Sequence, residues 1–194
     1  INAAGRTGAS DLGFRLLTSQ SDDEVMAISE RLNNLNQQRQ NIEQTVLFEA
    51  TNIIEEDLAS KKLNSIPNSI VVNGEGWHLG VLGIVASRLK EKYYRPSFVV
   101  STNNGISTGS ARSVSGIDVG ELIIDAVNRG ILNSGGGHKM AGGFSLDSSR
   151  FEEFKEFCEK KIFDKADEST LKKINLYDDI INSSYINRNL YDLI

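Results

Sequence analysis

The sequence is poor in the residues that cross-link a chain or hold a soft metal ion. Cys158 is its one cysteine, so no disulfide can form within the chain, and no histidine stands near it at the spacing of a zinc site. No apolar run approaches the roughly 20 residues that a membrane-spanning helix requires, and no secretory signal is visible. We therefore expect a globular protein of a reducing compartment, the cytoplasm.

Positive charge is also scarce. The 194 residues include 21 Lys and Arg against 26 Asp and Glu, a net charge of −5, which argues against a broad basic face. Residues 70–145 alone have an excess of basic residues, seven against five. A polyanion is therefore expected to bind there, if it binds at all. The chain begins at Ile1 without a methionine and ends at Ile194 without a polar tail, and we expect it to be part of a longer polypeptide.

Residues 22–60 have the pattern of one long helix. Ser21 followed by Glu24 forms a capping box, and two aspartates between them favour the helix start. Apolar residues recur at spacings of three, four and seven, which predicts one buried stripe. The stripe consists of Val25, Ile28, Leu32, Leu35, Ile42, Val46 and Ile53. A helix of this length either connects two domains, with residues 21–66 as the connector, or packs along a single domain.

Strand and helix patterns alternate over residues 67–165, which predicts an α/β domain with a small mixed sheet. The predicted strands are residues 69–72, 98–100, 106–113 and a segment ending at 146, and the predicted helices are residues 79–92, 117–128 and 148–163. A glycine loop at residues 135–137 precedes the last strand. Residues 166–194 are interpreted as a truncated β segment, the start of another small domain.

The strongest local signal is the glycine-rich run GGGHKMAGG, residues 135–143. Five glycines in nine residues are costly in conformational entropy, and they are typical of a sharp turn or of a backbone that a ligand approaches closely. Bare N–H groups there can bind phosphate oxygens, and His138 adds a side-chain donor. Taken alone, the motif fits a tight turn with a hydrogen-bonded histidine slightly better.

A second signal is GSARS, residues 109–113, in the third predicted strand. Side chains two residues apart project from the same face of a strand, so Ser110 and Arg112 are expected side by side. A guanidinium and a hydroxyl suit a phosphodiester, the first by a bidentate contact and the second by a single hydrogen bond. An exposed polar strand face is the alternative, and for this motif alone it is the better one.

A third signal surrounds the start of the predicted helix at residue 79. Glycines 76, 80 and 83 flank this strand-to-helix turn, where backbone N–H groups can bind an anion. Trp77 is either a base-stacking residue or, more commonly for a lone tryptophan, part of the core. Arg88 either projects toward a bound ligand or is solvated.

In this order and spacing, GWHLGVLGIVASRLKEKYYRP (residues 76–96), GSARS and GGGHKMAGGF resemble the DHH-associated domain of the RecJ family of bacterial exonucleases, within the DHH phosphoesterase superfamily. INAAGR and GASDLGFRLL, within residues 1–20, resemble the end of that family's DHH catalytic domain. Residues 21–66 then correspond to its linker helix, 67–165 to its DHH-associated substrate-binding domain, and 166–194 to the entry of its oligonucleotide-binding barrel. The resemblance covers nearly the whole chain.

The resemblance implies an exonuclease that hydrolyses single-stranded DNA from its 5′ end during repair and recombination. In such an enzyme Ser110 and Arg112 hold the 5′-terminal phosphate, and Arg6 contacts a backbone phosphate. His138 lies beside the scissile phosphate as the catalytic residue. The other implied substrate contacts are Gly136 and Gly137, which give access to the backbone, and more weakly Arg88 and Gln37.

The family cuts with two divalent metal ions, manganese or magnesium, held by aspartates and histidines that include an Asp-His-His run. This sequence has two histidines, His78 and His138, and no such run. Its acidic runs are interpreted as solvated faces. We therefore expect that the chain binds no metal and cuts no DNA by itself.

Two other functions remain open. One is that of a DHH-family phosphoesterase for short oligonucleotides or nucleotides, which a comparison of long and very short substrates would distinguish. The other is that of a non-catalytic module that binds single strands.

Overall fold

The computed structural model describes residues 2–7, 11–60, 66–166, 170–173 and 180–193. Twelve helices and strands lie in these ranges. They are α1 (Asn2–Thr7), α2 (Leu12–Thr18), α3 (Asp22–Ser60), β1 (Ile70–Glu75), α4 (Leu79–Tyr93), β2 (Ser97–Asn103), β3 (Ile106–Arg112), α5 (Val119–Asn128), β4 (Ser134–His138), β5 (Ala141–Asp147), α6 (Phe151–Lys165) and α7 (Arg188–Leu193). No helix in the described ranges is both long and apolar enough to cross a membrane.

The five strands form one mixed sheet in the order β1-β2-β3-β5-β4. β1 and β2 are parallel because α4 carries the chain back between them, and the other neighbouring pairs are antiparallel. Helices cover both faces: α3 and α4 pack on one side of the sheet, and α5 and α6 on the other. The predicted α/β class with a small mixed sheet and a long preceding helix is confirmed.

Each face of the sheet has its own apolar core. On the α5 and α6 side, Phe98, Phe144 and Phe154 form an aromatic cluster with ring centroids 4.8–6.3 Å apart. On the α3 and α4 side, Val72 and Val99 pack against buried residues of α4 such as Leu82, Val85 and Leu89. Burying a side chain of this size contributes about 1.5–3 kcal/mol, so the two cores hold the sheet rigidly between the helices.

Helix α3 has 39 residues and is about 58 Å long. It begins as predicted, with the Glu24 amide donating to Ser21 Oγ (3.4 Å), but the Glu24 carboxylate accepts from Ser19 and Arg15 instead of closing the capping box. Its first half packs on α1 and α2, and its second half packs on α4. The helix thus joins two separate apolar clusters, as a connector would.

One position of the predicted stripe on α3 is wrong. Ile53 is 41% exposed, whereas Ile54 is buried. The buried side chains in this half of the helix are Val46, Ala50 and Ile54, spaced by four residues. This row faces α4, and the spacing of seven from Val46 to Ile53 departs from it.

The predicted glycine loop at residues 135–137 is also wrong, because these residues belong to strand β4. The turn lies later, at residues 139–140, and it joins β4 to β5. Gly135 and Gly142 let α5 approach the sheet closely, since a Cβ there would come within 2.6 and 2.4 Å of Ile123 side-chain atoms. Glycine is depleted in strands, so tertiary packing decided this element against local propensity. Likewise, β1 extends to Glu75, beyond the predicted end of this strand at residue 72.

The tail after α6 contains a 3₁₀ turn at Ser183–Tyr185 and helix α7. The predicted β segment is not seen in residues 170–173 and 180–193, where the chain is held instead by contacts such as Arg95 Nη1 donating to Leu171 O (2.7 Å). Residues 1, 8–10, 61–65, 167–169, 174–179 and 194 lie outside the described residues. The proposed domain boundaries therefore stay predictions.

Candidate anion-binding site

Strand pairing brings the three predicted site residues to one face of the sheet. Ala141 of β5 pairs with both Arg112 of β3 and His138 of β4. Paired residues of antiparallel strands project to the same face, so Arg112 and His138 lie on one surface, two strand spacings or about 10 Å apart. Ser110 is two residues before Arg112 and shares this face.

Beside Ser110 this face of β5 and β4 is bare backbone, because Ser110 pairs with Gly143 and Gly143 pairs with Gly136. A Cβ on Gly136 would meet no atom within 4 Å, and one on Gly143 would come no closer than 3.9 Å to Gly109 O. Gly137 differs, because a Cβ there would lie 2.3 Å from Ala141 O, so its glycine is a steric requirement. A ligand can therefore approach the main chain at Gly136 and Gly143.

His138 stands at the end of the bare surface and is exposed. Its Nδ1 accepts a hydrogen bond from the Met140 amide (3.3 Å), which fixes the ring at the β4–β5 turn. Nε2 is then the nitrogen available to a ligand, as a donor in this tautomer.

The Arg112 guanidinium is held at the edge of α4. Nη1 donates to Ser110 Oγ (3.2 Å) and to Ala111 O (2.8 Å). Gly83 of α4 makes room for this group, since a Cβ there would lie 2.6 Å from Arg112 Nη2 and 3.1 Å from Ser110 Oγ. The glycine inside the helix thus places the guanidinium in a half-buried position between helix and sheet.

Arg6 reaches the same place from α1. α1 packs closely on the start of α4, because a Cβ on Gly80 would lie 2.4 Å from Arg6 O. Arg6 Nη1 donates to Gly80 O (3.1 Å). Arg6 and Arg112 line one pocket of about 210 Å³, which we call the arginine pocket; its other walls are Gly83, Ile84, Ser87, Arg88 and Glu91.

The arginine pocket has an excess of positive charge. Burial, and then the nearby charge of Arg6, lower the pKa of Arg112 from its ordinary value. Within the described ranges, neither Arg6 nor Arg112 forms an ion pair with a carboxylate, whereas Arg88 pairs with Glu43 (3.5 Å) and Glu91 (3.6 Å). Holding two guanidinium groups together in a partly desolvated site is unfavourable, and an anion between them relieves that cost. The geometry therefore suits a phosphate, carboxylate or sulfate group.

Three other residues named from the sequence lie elsewhere. Gln37 is exposed on α3 and donates to Asn41 Oδ1 (3.2 Å), outside the arginine pocket. Trp77 is buried and donates through Nε1 to Glu49 (2.7 Å), so it is a core residue. His78 is the N-cap of α4 and accepts from the Gly80 amide (3.1 Å).

The sequence analysis missed three residues of the pocket wall. Ile84 is half-buried and lines the pocket. Ser87 and Glu91 stand four and eight residues after Gly83 and so share its side of α4. That spacing was the available signal, but which side of α4 faces Arg112 depends on the packing of helix on sheet.

Metal ligands are not clustered in the described residues. Nowhere in these ranges do three His, Cys, Asp or Glu side chains stand close enough to hold a metal ion. Cys158 is buried in the α6 core, where desolvation raises the pKa of its thiol well above the ordinary value. The donors present here therefore do not fit a divalent metal centre.

The fold and the arginine pocket define a mixed α/β domain with a positively charged pocket beside glycine-rich strands. Residues 66–163, about half of the chain, match the family model of the DHHA1 domain. The chain belongs to the DHHA1 domain family.

The relatives agree with the family recognised from the motifs. The chain is 32% identical to the single-stranded-DNA-specific exonuclease RecJ of Haemophilus influenzae over 100% of this chain and 34% of the relative. It is 31% identical to RecJ of Escherichia coli over 89% of this chain and 30% of the relative. The chain thus spans about a third of the length of these curated relatives.

Solved structures show the same similarity. RecJ from Thermus thermophilus in complex with Mg²⁺ superposes with a TM-score of 0.72 and 33% identity, over 84% of this chain and 24% of that one. An exonuclease RecJ bound to manganese gives a TM-score of 0.72 and 32% identity, over 88% of this chain and 41% of that one. The predicted resemblance to RecJ is confirmed, and divalent metals occur in this family's structures.

Proposed function

We propose that this chain is the DNA-end-binding part of a RecJ-type exonuclease, a hydrolase that removes nucleotides from the 5′ end of single-stranded DNA in repair and recombination. One observation carries the proposal: Arg6 and Arg112 converge on one pocket, and within the described ranges no carboxylate pairs with either. The similarity to single-stranded-DNA-specific exonucleases supports a phosphate of the DNA backbone as the anion.

Arg112 and Ser110 hold the 5′-terminal phosphate in this proposal. The Arg112 guanidinium, already oriented by Ser110 Oγ and Ala111 O, presents its remaining N–H groups to the phosphate oxygens. Arg6 adds a second charged donor from α1. Because the fold fixes these groups before DNA arrives, binding orders few side chains and loses little entropy.

The DNA backbone then runs over the bare strands toward His138. Gly136 allows the sugar-phosphate chain to contact the main chain directly, and Gly137 keeps the strand in the shape that exposes it. His138, about 10 Å from Arg112 across the sheet, contacts the scissile phosphate through Nε2. Arg88 contacts the strand from the pocket wall, and Gln37 from the exposed side of α3.

Cleavage requires a divalent metal, manganese or magnesium, which activates the attacking water. We propose that its ligands lie outside the residues described here and that this chain by itself binds DNA in the cytoplasm without cutting it. The chain would then bind the substrate and provide His138, while other parts of a longer polypeptide hold the metal.

The test is to measure binding of a fluorescent single strand of about 20 nucleotides by anisotropy, with and without a 5′-phosphate. We expect the phosphorylated strand to bind at least tenfold more tightly, the worth of one charge-assisted hydrogen bond. Equal affinities contradict a 5′-phosphate site.

A second assay measures nucleotide release from the phosphorylated strand with manganese. Clear release of nucleotides by this chain alone contradicts the proposal that it binds DNA without cutting it, whereas binding without release agrees with that proposal. Tight binding of dinucleotides would favour the alternative of a phosphoesterase for short oligonucleotides.

A further inference from the structure

One wall of the arginine pocket is negatively charged, opposite in sign to its arginines. Among the described residues, Glu91 is the single carboxylate that lines the pocket, together with Arg6, Arg88 and Arg112. A carboxylate beside a bound phosphate lowers affinity through like-charge repulsion, so Glu91 works against the ligand that the other three residues favour.

Glu91 contributes little to the stability of the fold. Its ion pair with Arg88, at 3.6 Å, joins two side chains that are each 57% exposed, and exposed pairs of this kind contribute little to stability. Arg88 has a second carboxylate partner, Glu43, which is almost buried, lies at 3.5 Å and also pairs with Arg39. Glu91 can therefore be replaced without loss of the core, and Arg88 keeps one carboxylate partner.

The two positive charges of Arg6 and Arg112 match the negative charge of one phosphate group. Arg88 pairs with two carboxylates, one of which it shares with Arg39, whereas Arg6 and Arg112 have no carboxylate partner within the described ranges and carry the unpaired positive charge of the pocket. A terminal monophosphate carries about −1.5 to −2 at neutral pH and so balances two guanidinium groups. Each further phosphate of a di- or triphosphate end adds about one negative charge that has no cation left to pair with it.

The pocket is also small. Its volume of about 210 Å³ accommodates one phosphate group, and the pocket opens to solvent. Ser87 and Glu91 stand one and two helical turns beyond Gly83, which lies directly over Arg112. A second or third phosphate that extends past Arg112 along α4 therefore approaches the Glu91 carboxylate.

We propose that Glu91 makes the pocket selective for 5′-monophosphate ends and excludes 5′-di- and triphosphate ends. This inference rests on the proposed function, because it assumes that a 5′-terminal phosphate occupies the pocket. This selectivity implies which class of reaction must precede the action of the protein. The ends that this protein accepts must come from a hydrolytic reaction that leaves a 5′-monophosphate, since unprocessed ends of a newly initiated strand keep the triphosphate.

The experiment compares three otherwise identical single strands, with 5′-hydroxyl, 5′-monophosphate and 5′-triphosphate ends, by anisotropy at fixed salt. The full 194-residue chain is used as wild type, as Glu91→Gln and as a control, Glu156→Gln. Glu156 is an exposed glutamate of α6, outside the pocket. Thermal unfolding of each variant checks the fold.

We expect the wild type and the control to bind the monophosphate end most tightly. Glu91→Gln should strengthen binding of the triphosphate end by about threefold or more, with a smaller gain for the monophosphate and none for the hydroxyl end. A role of Glu91 in merely positioning Arg88 predicts the opposite sign, a weakening for every strand.

The outcomes separate the two proposals. If monophosphate and hydroxyl ends bind equally, the phosphate site itself is refuted. If the monophosphate is preferred over the hydroxyl but the wild type binds the triphosphate as tightly or more tightly, only the selectivity is refuted. An unchanged ratio of monophosphate to triphosphate affinity in Glu91→Gln overturns the role of this residue.

Discussion

Replacement of Arg112 by alanine is the most direct test of the phosphate site. The change removes a guanidinium that is held by Ser110 Oγ and Ala111 O and whose Nη2 lies under Gly83 at the pocket. Loss of a hydrogen bond to a charged group costs about 1.5–3 kcal/mol, which corresponds to roughly a 10- to 140-fold loss of affinity.

Two features of the structure place the expected value in the lower part of that range. The pKa of Arg112 is lowered first by burial and then by the charge of Arg6, so the two cations repel each other in the free protein. Removing Arg112 relieves this repulsion and leaves Arg6 to hold the phosphate alone. We therefore expect Arg112→Ala to weaken binding of a 5′-phosphorylated strand by about 10- to 30-fold.

The assay is anisotropy with phosphorylated and unphosphorylated strands, and the unphosphorylated strand should lose no more than about twofold. Arg112→Lys keeps the charge without the bidentate geometry and should lie between alanine and wild type. Arg129→Ala is the matched control, because Arg129 pairs with Asp125 on α5, across the sheet from the pocket. Equal losses on both strands in Arg112→Ala would refute the assignment.

Three further predictions follow from individual contacts. Gly83→Ala should keep or raise the unfolding temperature, since alanine favours a helix, yet reduce the preference for a 5′-phosphate, since its Cβ displaces the Arg112 guanidinium. Gly136→Ala should weaken DNA binding without loss of stability, because a Cβ at this position meets no protein atom. Gly137→Ala should lower the free energy of unfolding by about 1–3 kcal/mol in denaturant unfolding, because a Cβ at this position clashes with the backbone. Hydrogen bonds from a tyrosine hydroxyl and a lysine ammonium lower the pKa of Glu55, so its stabilising effect is present above the ordinary carboxyl pKa and is lost as pH falls through the lowered value. Melting curves of Glu55→Gln should therefore change less with pH across that acid range than those of the wild type.

Much of the fold could be predicted from local patterns. The bounds of α3 follow from the capping residues at its start and the long apolar periodicity, and the Asp118 N-cap of α5 accepts from the Glu121 amide as its sequence position indicates. Apolar runs such as Phe98-Val99-Val100 are buried strands in the structure. These elements are recoverable because periodicity and capping depend on residues within one or two turns of each other.

Other elements could not be predicted because distant contacts decide them. The run at residues 135–137 is a strand only because Ile123 of α5 and the neighbouring β5 pack against it. Ile54 is buried in place of Ile53 because α4 crosses α3 along a particular row of side chains. Neither feature can be read from the sequence, since both depend on elements whose relative position no local pattern encodes.

The sequence by itself determined the family, the alternation of helices and strands, and the pairing of Ser110 with Arg112 on one strand face, because each depends on spacing along the chain. Only the tertiary structure decided that Arg6, more than a hundred residues earlier in the chain, joins Arg112 at one pocket, and that Glu91 forms part of its wall. The physical reason is packing: the glycines at positions 80 and 83 let α1 and Arg112 approach α4 at distances that any side chain would prevent.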